Sequence, residues 1–168
     1  MVAALEEQER RVTWARGLVL RLGHLYGPGS AYAPDGSLTR QLRAGRIPLV
    51  GEAASMFSFI HAHDAATAIL AAVEHPAASG VVNVVDDQPI LAHDWLPELA
   101  AILGAPAPRR VPAWIARLLV GEWGVAYMTR LAGASNWRAR KQLDWKPTYR
   151  AWPDGLTADI AADMLGRG

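Results

Sequence analysis

The chain has 168 residues, 51% hydrophobic and 20% charged, with a formal net charge of +1 at pH 7. This length and apolar content suit one folded domain with a substantial core and exclude a disordered chain, and so even a charge balance argues against a nucleic-acid partner, which needs a concentrated basic face. Cysteine is absent, which excludes disulfides, thiolate catalysis and cysteine-bound zinc and suits a reducing compartment.

The N-terminal stretch MVAALEEQERRV is charged and has no secretory apolar core, so no signal peptide is expected. Val2 to Arg16 carries helix formers without Gly or Pro and stops at Gly17, which predicts an amphipathic helix. Leu18 to Leu22 is a short apolar run bounded by glycines, as in a parallel strand buried on both faces. Tyr26 to Ser30 is a loop by composition, Leu38 to Ala44 a short helix closed by Gly45, and Ile47 to Val50 an edge strand because Pro48 cannot donate to a ladder. Phe57 to His61 predicts a strand, and Asp64 is placed to cap the alanine-rich helix Ala65 to Glu74, which Pro76 stops. Val81 to Val85 is a further apolar strand.

From Asp94 the pattern turns mostly helical. Asp94 can cap a helix to Leu103, Pro112 can open one over Ala113 to Val120, Ser135 can cap Trp137 to Leu143, and Asp154 can cap a last helix toward Leu165. The longest apolar stretch, Val111 to Leu131, is broken by Arg117, Glu122 and Arg130. These charges predict a buried or half-buried helix pair rather than a membrane span, so a cytoplasmic protein without a membrane partner is expected.

Five segments, in order, resemble the extended short-chain dehydrogenase/reductase family, the NAD-dependent epimerase/dehydratase group. LRLGHLYGPG (Leu20 to Gly29) resembles "LRPGNVYGPG", and SFIHAHDAATAI (Ser58 to Ile69) resembles "SFVHVDDVAxAI". GVVNVVDDQPI (Gly80 to Ile90) resembles "GxxYNVxDxxP", SNWRARKQLDWKPTY (Ser135 to Tyr149) resembles "SNAKARRELGWxPxY", and AWPDGL (Ala151 to Leu156) resembles "SWREGL". The family's phosphate-binding GxxGxxG loop, its acidic ribose-binding residue and its catalytic Ser/Thr with YxxxK precede the matched region. No Tyr-x-x-x-Lys occurs here: Tyr26, Tyr32, Tyr127 and Tyr149 are followed four positions on by Ser30, Gly36, Leu131 and Pro153. No catalytic residue is therefore assigned, and no turnover is expected from the chain alone, since hydride transfer in the family needs that tyrosine as acid/base partner.

The resemblance implies an α/β fold: the last parallel strands of a Rossmann-type sheet plus a mainly helical substrate-binding subdomain. Within a single region over 1–168, segments 1–27 and 57–86 would be sheet-associated, and 28–56 and 87–168 would form the substrate-binding part. It places Leu22, Gly23 and His24 against the nicotinamide of NAD or NADP, with His24 also facing substrate; the plain alternative is an ordinary strand exit, with Tyr26 packed for stability. Relatives acting on nucleotide sugars commonly carry a diphosphate-binding arginine where this chain has Phe57. Met56 and Phe57 then imply an apolar substrate wall for a less charged alcohol or ketone, unless Phe57 only fills the core and another arginine, such as Arg46 or Arg130, meets phosphate.

His61-Ala62-His63-Asp64 resembles a metal motif at a strand end, where both imidazoles would share a face. No convincing third ligand set follows, and the family resemblance implies that His61 is a strand-end residue and Asp64 a helix cap, so no metal is assigned. Trp114, Trp123, Trp137, Trp145 and Trp152 read as packing residues, and Arg138, Arg140, Lys141 and Lys146 as a solvated helix face. The expected partners are a small-molecule substrate and either a missing N-terminal half or a second copy. The rival reading is a non-catalytic binding module derived from the same fold.

Overall fold

Helix formers uninterrupted by glycine or proline give α1 (Val2–Trp14) in the computed structural model, which describes residues 2–166. Gly17 ends the turn beneath α1, where a Cβ would stand 2.8 Å from Val12 Cγ1. The apolar run becomes β1 (Leu18–Leu22), and the chain continues past Gly23 as β2 (His24–Tyr26). Next come α2 (Ser37–Arg43), β3 (Leu49–Val50), β4 (Met56–Phe57), β5 (Phe59–His61), α3 (Ala62–Glu74) and β6 (Gly80–Val84). The C-terminal part holds β7 (Ile90–Leu91), α4 (Ala92–Ile102), β8 (Arg110–Val111), α5 (Ala113–Thr129), α6 (Trp137–Leu143) and α7 (Trp152–Gly166).

β1 and β6 pair in parallel, from Leu18 opposite Gly80 to Leu22 opposite Val84. Side chains alternate across this ladder. Leu18, Leu20, Val82 and Val84 pack with Ala65 and Ala68 of α3, Ala139 and Leu143 of α6, and Trp145. On the opposite face Arg21 forms an ion pair with Glu9 of α1. Helices therefore cover both faces, as a parallel ladder requires, and the α/β class expected from the sequence is the one observed. The second core lies under β2, β4 and β5 and is built on Tyr26, Phe57, Phe59, Trp95, Leu96 and Trp152.

Several local expectations are corrected. The strand expected over Phe57 to His61 is divided at Ser58, because the chain changes partner there: β4 runs antiparallel to β7, and β5 runs parallel to β2. β2, β7 and β8, two or three residues long, are strands not expected from the sequence, and β2 ends on Tyr26, expected to begin a loop. The edge strand survives as Leu49–Val50, just past Pro48, parallel to β8. The helix expected to end at Val120 continues to Thr129 as two pieces meeting at Gly121, whose φ of 71° and ψ of 178° break the helical path. No helix among the described residues is long and apolar enough to cross a membrane.

The capping expectations also shift. α3 is capped by His61, whose Nδ1 accepts from the His63 amide at 3.2 Å. Asp64 sits inside the first turn, fully buried, and accepts from the amides of Thr148 (2.8 Å) and Tyr149 (2.9 Å). Asp94 and Asp154 likewise fall inside their helices' first turns, where their charge meets the positive end of the helix dipole. Asn136, not Ser135, is the N-cap of α6; the Ser135 hydroxyl, one residue earlier, accepts from the Trp137 amide at 3.3 Å. Trp145 and Trp152 are buried, but Trp114, Trp123 and Trp137 are exposed, which corrects their assignment to packing. Arg140 is no free surface charge either: it binds Asp87 at 3.0 Å.

Asp64 holds the 145–150 segment down through two otherwise orphaned amides. Asp64→Ala is expected to cost roughly 2–4 kcal/mol, because it takes a fully buried charged acceptor from two part-buried amides. Urea unfolding of parent and variant, compared at equal m-value, measures this.

Candidate functional site

Past Leu22 the parallel ladder opens. The Gly23 amide still donates to Val84 O (3.0 Å), but the His24 amide donates to Ser58 O (2.8 Å) and the Asp86 amide to Phe59 O (2.7 Å). β5 is thus bonded on both sides at the carboxyl ends of β1 and β6. A Cβ on Gly23 would lie 2.6 Å from Ser58 O and 2.9 Å from Val85 Cγ1, so only glycine lets the strand pass from one partner to the other.

A cleft of about 450 Å³ opens at this point, between Leu22, Gly23 and His24 on one side and Met56, Ser58 and residues 131–134 on the other. Ligands in open α/β folds collect at such strand ends. The 131–134 segment is pinned by its backbone: the Leu131 amide donates to Ser55 Oγ (2.9 Å), Leu131 O accepts from the Met56 amide (2.8 Å), and the Ala134 amide donates to Ser58 Oγ (2.8 Å). Gly133 has a φ of 74°, and a Cβ there would meet Met56 Cγ at 2.6 Å. The cleft wall is therefore backbone and small apolar groups. Among its charged members, Arg21 is already engaged by Glu9.

His24 is one of the polar residues of this cleft, with Ser58, Asn83 and Arg21. Its Nδ1 lies 3.2 Å from Ser58 O, and a carbonyl can only accept, so Nδ1 carries the proton. The ring is held by Phe57 (centroids 4.7 Å apart), Phe59 (5.7 Å) and Tyr127 (5.7 Å). Burial pushes the imidazole's pKa down, against the opposing pull of Ser58 O.

Of the residues singled out from the sequence, the structure brings Leu22, Gly23, His24 and Met56 to one cleft. Phe57 is not among its lining: it is fully buried, packed against His24, Trp95 and Tyr127. Ser58 and the 131–134 segment escaped sequence reasoning. Ser58 opens one of the family-like segments, a usable signal, whereas Leu-Ala-Gly-Ala carries no chemistry to notice.

The His-x-His pair does not share a face, because the strand ends at His61. His61 is buried, with Nε2 donating to Asp159 at 3.2 Å, and His63 is exposed. Tyr26 is 2% exposed, its hydroxyl pressed against Gly155. Asp86, at the exit of β6, is 2% exposed. Burial, reinforced by Asp87 and Asp154, raises its carboxyl to about 7, although the amides of Gln88 and Trp152 pull the other way.

The sequence profile of the NAD dependent epimerase/dehydratase family matches residues 2–85. A Streptomyces 3-diazoavenalumate denitrifying reductase is 47% identical over 157 residues, covering 92% of this chain and 51% of the relative. A functionally unknown conserved protein from Silicibacter pomeroyi superposes with a TM-score of 0.72 at 28% identity, covering 94% of this chain and 53% of that one. A human epimerase family protein solved with NADPH superposes with a TM-score of 0.69 at 20% identity, covering 87% and 48%. The chain spans about half the length of the relatives it matches.

Two outcomes follow from the geometry around the cleft. Gly23→Ala is expected to destabilise the fold by roughly 1–3 kcal/mol, since the added methyl meets a backbone carbonyl that cannot yield; a thermal melt reads this. Asp86 binds its proton more tightly folded than unfolded, so its contribution to stability is fully present below the ordinary carboxylate range and declines as pH rises toward about 7. The advantage of Asp86→Asn over the parent should therefore grow between about pH 4 and pH 7 and level off at about 1–3 kcal/mol, as measured by denaturant titration at each pH.

Proposed function

The chain belongs to the NAD dependent epimerase/dehydratase family, and from that premise we propose that it forms the C-terminal, substrate-binding portion of an NAD(P)-dependent epimerase, dehydratase or reductase acting on a hydroxyl or carbonyl group. The observation that carries the proposal is the cleft itself, where Leu22, Gly23, His24 and Met56 converge at the carboxyl ends of parallel strands. In this reading segments 28–56 and 87–168 build the substrate side. α6 is the exception, since it packs on the sheet.

The cleft fits the nicotinamide end of a dinucleotide: Gly23 offers bare backbone, and Ala132 to Ala134 offer a flat wall of small groups. When bound, the nicotinamide supplies or accepts a hydride. Leu22 and Gly23 would hold the nicotinamide, Met56 would exclude water from it, and His24 would touch the substrate. No free cation lines this cleft among the described residues, so the diphosphate and adenosine need groups from elsewhere. We assign those groups, together with the Tyr/Lys acid/base pair, to an N-terminal half that completes the site, and the chain alone should bind NAD(P) weakly and not turn over. The Streptomyces relative is named for reduction of a diazo compound, and its identity to this chain supports extending the acceptor from a carbonyl to an electrophilic nitrogen.

The test is titration of NADH and NADPH, followed by nicotinamide fluorescence, into the chain alone and into the chain co-expressed with the N-terminal half of the Streptomyces relative. The expected result is binding of at least one dinucleotide at least tenfold tighter in the pair. A pair that binds neither nucleotide would overturn the oxidoreductase reading.

A further inference from the structure

His24 lies in the cleft with a fixed polarity. Its Nδ1 proton is committed to Ser58 O at 3.2 Å, and Phe57, Phe59 and Tyr127 leave the ring no alternative orientation that keeps that bond and the packing. Nε2 is therefore the atom without a proton. It has no protein donor among the described residues and is not one of the sealed, partnerless polar atoms of the interior, so it opens toward the cleft that His24 lines. What it presents there is a lone pair. An asparagine amide can turn to donate or accept, but a neutral imidazole anchored through Nδ1 can only accept. The surrounding wall adds no unpaired charge: Met56, Leu131, Ala132 and Ala134 are apolar, the Arg21 guanidinium is held by Glu9, and the Asn83 amide donates to Ser135 O.

We propose that His24 Nε2 selects a substrate carrying a neutral hydrogen-bond donor, an alcohol or phenol hydroxyl, and that the cleft rejects carboxylates and phosphates at this position. An anionic oxygen would face a lone pair while the cleft's guanidinium, Arg21, is already neutralised by Glu9, and an ether would leave Nε2 unpaired. Protonation of the ring would reverse the preference, and burial opposes it. The proposal rests on the reading that this cleft holds the substrate. It deepens that reading by stating which functional group the substrate must offer.

The test uses the full chain labelled with 15N-histidine, with His24 resonances assigned by their loss in His24→Gln. The imidazole should show Nδ1 protonated and Nε2 bare at pH 7.5. Three probes are titrated: 4-hydroxyacetophenone, 4-methoxyacetophenone and 4-acetylbenzoate. The hydroxyl probe is expected to move the Nε2 resonance and to bind about five-fold or more tighter than the methoxy probe, the worth of one hydrogen bond, with the carboxylate weakest. His24→Phe should bring hydroxyl and methoxy affinities together, and His24→Gln, whose Oε1 still accepts, should retain part of the difference. A protonated Nε2 tautomer, equal affinity for hydroxyl and methoxy probes, preference for the carboxylate, or no probe binding would each overturn the proposal, and all are read on the unsubstituted chain. Dinucleotide binding by the completed pair is scored separately. Nucleotide binding without probe selectivity sinks this inference and spares the oxidoreductase reading, whereas loss of nucleotide binding sinks that reading.

Discussion

The close approach of Gly23 to Ser58 governs how this chain is put together. A parallel ladder of β1 and β6 would ordinarily run on as two adjacent strands; here they part, and β5 enters between their ends, bonded to His24 on one side and Asp86 on the other. That insertion needs a residue without a side chain where a Cβ would sit 2.6 Å from a carbonyl. Ser58 then serves three attachments. Its carbonyl accepts from the amide of His24 and lies within reach of that residue's Nδ1, and its hydroxyl accepts from Ala134. Strand exit, cleft floor and cleft wall all meet at one residue.

Two carboxylates, one buried and one half-buried, fasten the rest. Asp64 reaches from the start of α3 to the amides of Thr148 and Tyr149, and Asp87, just past β6, takes Asn136, Arg140 and Arg150 together. Each places a charge where several donors converge, which is how a carboxylate can be taken out of water at tolerable cost. Both join the sheet layer to the polar run between α6 and α7, so the C-terminal segment is located by hydrogen bonds as much as by apolar contact. Asp86 is the contrast: the backbone amides of Gln88 and Trp152 meet it in place of a cation among the described residues, and burial raises its carboxyl to about 7.

The long-range pattern of the sequence was legible where apolar periodicity and breakers agreed. α1, β1, α3 and β6 stand within a few residues of their expected bounds because a run of Leu and Val between glycines, or of Ala between a strand and Pro76, has few alternatives. What stayed hidden was decided by distant partners. Nothing local in Phe57-Ser58-Phe59 signals that the strand changes neighbours at the serine, since that depends on β7 and β2 arriving from elsewhere. Asp64 has the composition and position of a helix cap, and only the return of residues 148 and 149 shows its carboxylate turned outward from its own helix. The candidate site divides the same way. Leu22, Gly23 and His24 could be found from a strand end and a family-like segment, whereas the opposite wall, Leu131 to Ala134, is made of residues whose contribution is their smallness.

The proposed division of labour also follows from the edge of the sheet. Among the described residues β1 pairs on one side only, with β6. Beside that edge Leu22 and Leu25 are each more than 40% exposed, and α3 turns Ile69, Leu70 and Val73 to solvent. Parallel ladders are stable when both faces and both edges are covered, and an apolar edge left open is a template for another chain. The cleft opens at the carboxyl end of this same strand, over the ladder rather than at its free edge, since Arg21, Leu22 and Gly23 line it together with Asn83 and Val85 of the β6 side. On the proposed reading a partner that satisfies the β1 edge stands beside the cleft, where it could bring the groups of the dinucleotide site toward Gly23 and His24. A second copy of the chain could cover the same apolar edge but would bring no Tyr-x-x-x-Lys pair and no phosphate-binding loop, because the sequence has neither. Self-association and completion would thus compete for one surface, and only completion would restore the chemistry.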